Sequence, residues 1–145
     1  MAGELGYDTG PFVSLATFCD SVIEGKDNVL SIIRVIDRIG VDAAGPEAPD
    51  DLPPGIVRTT LVIGLKAGSA RGRHTIQIVM EHPDGSQNPS PETAINFTGG
   101  ASAGVNMILP VAFQATGAGL YWADIKVNKR LVTRVPLLID YTFTR

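Results

Sequence analysis

The sequence predicts an all-β fold: a single-domain antiparallel β-sandwich of about eight strands, with a small β-barrel as the alternative. Three observations lead there. Apolar residues recur with period two along most of the chain, no segment sustains the 3.6-residue apolar period of a helix, and turn-forming residues punctuate the apolar runs at short intervals. The 145 residues suffice for one hydrophobic core but not for two, so 1–145 reads as one domain. Without helical crossovers a parallel sheet is hard to connect, which favours hairpins and meanders.

Taken in order, the stretch from Phe12 to Ile39 holds two apolar, β-branched runs around a polar, turn-like segment and reads as a strand pair. The best helix candidate, Asp20 to Ile36, is too β-branched in its second half, which leaves at most a helical turn over Asp20 to Gly25. Residues 42–55, DAAGPEAPDDLPPG, are rich in proline and acid and cannot pair in a sheet, so they form a surface loop. From Val57 to Lys66 the chain alternates, with Val57, Thr59, Leu61, Ile63 and Leu65 on one face. The next run places His74, Ile76, Ile78 and Met80 together and ends in the turn signal Pro83-Asp84-Gly85. Further strands fall near 93–98, 105–113, 120–127 and 131–143. Gly99-Gly100, Gly117-Ala118-Gly119 and Asn128-Lys129 separate them and are expected to close hairpins.

The composition, 44% hydrophobic and 19% charged, is that of an ordinary globular domain. A formal net charge of -3 supplies no general basic field, so nucleic acid is not expected as a partner. The lone Cys19 excludes an intramolecular disulfide and reads as a small, reduced core side chain. The opening MAGELGYDTG has neither a basic nor an apolar signal region, and no apolar run reaches membrane-spanning length. A cytoplasmic protein that does not insert into membranes is the expectation.

Chemistry-bearing residues are sparse. His74 and His82 lie eight positions apart on one strand, about 26 Å at strand rise, and cannot share a metal there. Glu47, Asp50 and Asp51 lack the spacing of a calcium loop. The glycine-rich run at 99–104 lacks the Lys-Ser/Thr of a phosphate loop. No nucleophile has a base beside it in any local motif, so no catalytic residue, metal or cofactor is expected, and no enzymatic activity. Arg34, Asp37 and Arg38 interrupt an apolar strand and need partners such as Asp20 or Asp140. We read Asp20, Arg34, Asp37 and Arg38 as a structural charge cluster. Apolar residues also fall on the polar phase of the last strands, at Leu120, Trp122, Val132 and Leu138. They mark a covered sheet face, the cover being the 42–55 loop, a second subunit or a protein partner.

Phe18-Cys19-Asp20, Leu30-Ser31-Ile32-Ile33 and Val35-Ile36-Asp37-Arg38-Ile39, followed by the proline-rich loop, Gly72-Arg73-His74 and Gly119-Leu120-Tyr121, make the chain resemble a family of small uncharacterised bacterial proteins known as a domain of unknown function. The resemblance spans most of the chain, is specific mainly in its first third, and implies a small β-rich domain without an assigned activity. The expected function is therefore a structural or protein-interaction module, self-associating, with membership of a virion or injection-type assembly as a special case. The alternative is a small-ligand or carbohydrate-binding sandwich using Tyr121, Trp122 and Arg34.

Overall fold

Ten strands and no helix make up the described residues of the computed structural model, 10–44, 55–100 and 103–144. One sheet has the order β2-β1-β4-β8, from β2 (Leu30–Ile36), β1 (Phe12–Glu24), β4 (Gly55–Lys66) and β8 (Gly104–Ala115), and is antiparallel throughout. The other has the order β3-β10-β9-β5-β6, from β3 (Arg38–Ala44), β10 (Arg130–Thr144), β9 (Gly119–Val127), β5 (Gly72–Glu81) and β6 (Gln87–Pro89). The short β7 (Thr93–Phe97) also pairs with β5. Neither sheet closes on itself, so the fold is a sandwich and not a barrel.

Period-two alternation builds the core. Val57, Leu61, Ile63 and Leu65 of β4 face Ile76, Ile78 and Met80 of β5, with Tyr121, Ala123 and Ile125 of β9 and Val135, Leu137 and Ile139 of β10 completing the layer. Burying large apolar side chains such as these stabilises the fold by about 1.5–3 kcal/mol each relative to exposure, which is why the phases of β4, β5 and β9 are readable in the sequence.

The structure departs from the sequence expectation where the chain changes sheets. Residues 30–44 are one extended run that leaves the first sheet at Asp37 and enters the second as β3, which pairs parallel with β10. Leu138 N–H donates to the Asp37 carbonyl at 2.9 Å at that crossing. The sheets are thus not wholly antiparallel, and the strands number ten among the described residues, against about eight expected. The glycine-rich stretches at 99–104 and 117–119 do not close hairpins, because β7 and β8, and then β8 and β9, belong to opposite sheets. Gly104 suits its place: a Cβ there would lie 1.8 Å from the Leu65 carbonyl oxygen. No helical turn forms at Asp20, since β1 runs on to Glu24. Of the loop expected at 42–55, the two ends are strand, Ala44 closing β3 and Gly55 opening β4; Glu47, Asp50 and Asp51 lie outside the described residues.

The true hairpins have local causes. Asn128 and Lys129 both take positive φ, 51° and 68°, the two-residue geometry that matches strand twist. The Asn128 side-chain oxygen accepts the Thr75 N–H at 3.1 Å, tying this turn to β5. After β5, Gly85 supplies φ 88°, and the Asp84 carboxylate accepts the Ser86 hydroxyl at 2.6 Å and its N–H at 2.9 Å. These bonds, the hydroxyl first, hold the Asp84 carboxyl below its usual range.

Tyr121 fastens the β8-to-β9 crossing from inside. Its hydroxyl accepts the Thr116 N–H at 3.0 Å and donates to the Gly117 carbonyl at 2.7 Å, while its ring packs against His82 and Phe113 at centroid distances of 5.0 and 5.3 Å. Tyr121→Phe keeps the apolar contact and strands two backbone groups. It should cost about 1–3 kcal/mol, read as a lower urea midpoint with an unchanged slope; an unmoved midpoint would show that the hydroxyl is dispensable.

Candidate functional site

Residues opposite one another in a sheet share a face, so register decides which side chains meet. On the outer face of the second sheet, Glu81 lies opposite Trp122, Asp124 opposite Arg134, Trp122 opposite Pro136 and Leu120 opposite Leu138. Arg134 gathers this face. Its Nε donates to Asp124 at 2.6 Å, Nη2 pairs with Glu81, and the guanidinium carbon sits 4.5 Å from the Trp122 ring centroid. The hydrogen bond to Asp124 is the main cause that raises the Arg134 pKa still further. Asp124 is only 7% exposed, and a carboxylate so placed needs this partner.

Of the four residues read as an apolar face, Leu120, Trp122 and Leu138 stand on this surface and Val132 does not. A bulge between Leu131 and Thr133 shifts the phase of β10, so Leu131 is exposed and Val132 packs against the core. Glu81 and Arg134, which turn the face from apolar to ionic, escaped the sequence reading because they meet only through the pairing of three strands.

The charge cluster also divides. Arg34 pairs with Asp20 at 3.0 Å on the first sheet, and Arg38 with Asp140 on the second. Asp37 stands between them at the crossing, where its carbonyl serves Leu138. The Arg34 side chain is 77% exposed, so the pair is a solvated one and not the buried pair that a site inside an apolar strand suggested. Nor do Tyr121, Trp122 and Arg34 assemble a ligand site: Tyr121 is fully buried between the sheets, Trp122 faces outward, and Arg34 belongs to the other sheet.

The outer face of the first sheet is the more apolar one. By register it carries Leu15, Ile23, Ile33, Val35, Ile56 and Ile108, all exposed, with Val35 at 66% and Ile56 at 65%. Val62 and Cys19 share this face and are fully buried in it. The charged side chains its described residues place there are Arg58 and Lys66, eight positions apart on β4. A signal was present in the sequence: β8 is apolar on both phases, with Ile108 and Pro110 alternating with Met107, Leu109 and Val111.

Both edges of this sheet resist strand addition. Arg34 interrupts β2 with φ 56°, and Pro110 removes an N–H from β8.

A family model matches residues 14–140. The chain belongs to this family of unknown function, DUF6941. No curated protein sequence matches the chain. Among solved structures, it is similar to Pseudomonas fluorescens alkylpurine DNA glycosylase AlkC bound to DNA containing an abasic site analog, at 10% identity and a TM-score of 0.49, over 72% of this chain and 28% of that one. The expectations of no enzymatic activity and no nucleic-acid partner are withdrawn as blanket exclusions, the solved structure being that of an enzyme bound to DNA. Their physical weakness is that net charge and local motifs describe neither a local surface nor residues converging from distant strands. A likeness of this extent transfers neither activity to the DUF6941 chain.

Among the described residues of this DUF6941 domain, no three His, Cys, Asp or Glu side chains are placed to hold a metal, and no helix is long and apolar enough to cross a membrane. Both histidines spend their ring nitrogens within the protein. His74 accepts from Asn128 at 2.7 Å and donates to the Arg71 carbonyl at 3.1 Å; His82 accepts from Asn88 at 2.7 Å and donates to Thr116 at 3.0 Å. Cys19 is completely buried, and that burial, with Asp20 beside it, pushes its thiol pKa up.

Two outcomes follow. Cys19 should react with Ellman's reagent only as fast as the protein opens; rapid labelling of the folded protein would show the thiol accessible. Arg34→Ala should stay within about 1 kcal/mol of the parent in denaturant unfolding, whereas Arg134→Met, which strips the mostly buried Asp124 of its partner, should lower the melting temperature clearly more. Equal effects would mean that the Arg134 cluster is no better than a surface pair.

Proposed function

We propose that this domain is a protein-interaction module that self-associates, face to face, through the β2-β1-β4-β8 sheet. The observation that carries the reading is the set of six exposed aliphatic side chains on one sheet face whose only charges among the described residues, by register, are Arg58 and Lys66. Exposed apolar patches are costly in a free monomer and favour burial against another surface. A surface this aliphatic offers little to select a partner by charge, whereas a second copy presents the same aliphatic surface in an isologous contact. The obstructed edges of the first sheet leave its face as that sheet's surface for association, in contrast to the opposite sheet, whose outer surface is occupied by the Arg134 ion pairs. A component of a larger assembly is the natural extension, and a cytoplasmic setting suits the single thiol.

Light scattering tests this directly. The parent should run as a multiple of 15.3 kDa, and Val35→Glu should return it to monomer with an unchanged circular dichroism spectrum. Leu138→Glu, on the opposite outer face, should leave the oligomer intact. A parent that stays monomeric at about 100 μM would sink the proposal, because that lies well above the micromolar affinities of even modest interfaces.

A further inference from the structure

One long edge of the sandwich is closed by the run 30–44, which belongs to both sheets; the other, where β8 lies over β5, β6 and β7, has no such strand. There the sheets part around a cleft of about 300 Å³, at the lower end of the size of small-molecule sites. Ile76, Ile78 and Met80 form its floor, and Met107, Leu109 and Phe113 its opposite wall.

Three prolines, Pro89, Pro91 and Pro110, stand around it and contribute no N–H donors. No ionisable side chain lines it among the described residues. Two of its three polar side chains are engaged elsewhere, Thr93 being the third: the Ser90 hydroxyl accepts the Ile78 N–H at 3.0 Å and donates to the Pro91 carbonyl at 3.1 Å, and the Asn88 amide donates to His82.

We infer that this cleft binds a neutral, apolar small molecule. A charged guest would lose hydration with no counter-charge in the lining, and a sugar would leave its hydroxyls largely unmatched. A partner's β-strand is disfavoured because Pro110 interrupts the donors along β8. An apolar guest, by contrast, recovers contact with side chains that are already ordered, and the thioethers of Met80 and Met107 adapt to its shape. The inference is independent of self-association, which uses the other side of the first sheet.

The probe is N-phenyl-1-naphthylamine, a neutral aromatic fluorophore. Titrated into the full chain labelled with [¹³C-methyl]methionine, it should bind with a saturable fluorescence rise, one per chain, and should shift the methyl resonances of Met80 and Met107. Val111→Trp, which fills the cleft from β8, should weaken the probe at least tenfold, and Val35→Glu should not. The methyl shifts need no variant, so they decide the matter even if Val111→Trp does not fold. Saturable fluorescence without shifts at Met80 and Met107, or binding abolished by Val35→Glu, would place the probe on the outer face and overturn the cleft. Absence of saturable binding would overturn it as well.

Discussion

The constraint on which the rest of the structure depends is the passage of one extended run, 30–44, from one sheet into the other at Asp37. Because β2 and β3 are the same length of chain, the two sheets cannot drift apart along that edge. The crossing also dictates the parallel pairing of β3 with β10, since the run enters the second sheet with its direction already set by β2. Strand order then follows across both layers: β1 comes to lie near β10, and β8 near β7 at the far side. Among the described residues no strand shared by the two sheets closes that far side, and it is where the cleft opens.

The two outer faces have been finished by different physics. On the second sheet, long polar side chains from three strands converge on Arg134, and Trp122 lies beneath the guanidinium instead of in solvent. Such a network covers apolar surface with the stems of charged residues and leaves their heads to water. On the first sheet no comparable network exists by register among the described residues, and the aliphatic residues at positions 33, 35, 56 and 108 are exposed. The contrast within one molecule makes exposure on the first sheet meaningful, because the same chain shows how it covers a face that must stand in water.

Much of the fold was legible because burial acts on every second residue. The inward phases of β4, β5 and β9 could be read from Val57 to Leu65, His74 to Met80 and Tyr121 to Val127, since a one-residue slip would expose an entire row. The phase of β10 was misread at Val132 because a bulge leaves no trace in an apolar pattern. The partners of Arg34 and Arg38 were within reach of the sequence, but their separation onto two sheets was not: Asp37 looked like one more residue of a strand. The apolar outer face was overlooked for a related reason. The apolar phases of β8 look alike in sequence, as do those near Trp122, and only the register of neighbouring strands separates a core face from an outer one.

Whole-chain charge illustrates the same limit. A formal net charge of -3 describes the sum, but the charges are distributed by face: among the described residues the outer surface of the first sheet carries, by register, two cations and no carboxylate, while the second sheet holds Glu81, Asp124 and Asp140, each paired with an arginine. Steering and recognition respond to the local field within about one Debye length, about 8 Å at physiological salt, and not to the total. The region matched by the family model, 14–140, contains the Asp37 crossing, the Arg134 network and every described residue of the cleft. A partner or ligand of this chain therefore has to be sought face by face, with the strand crossing, the ionic sheet and the open edge treated as separate surfaces.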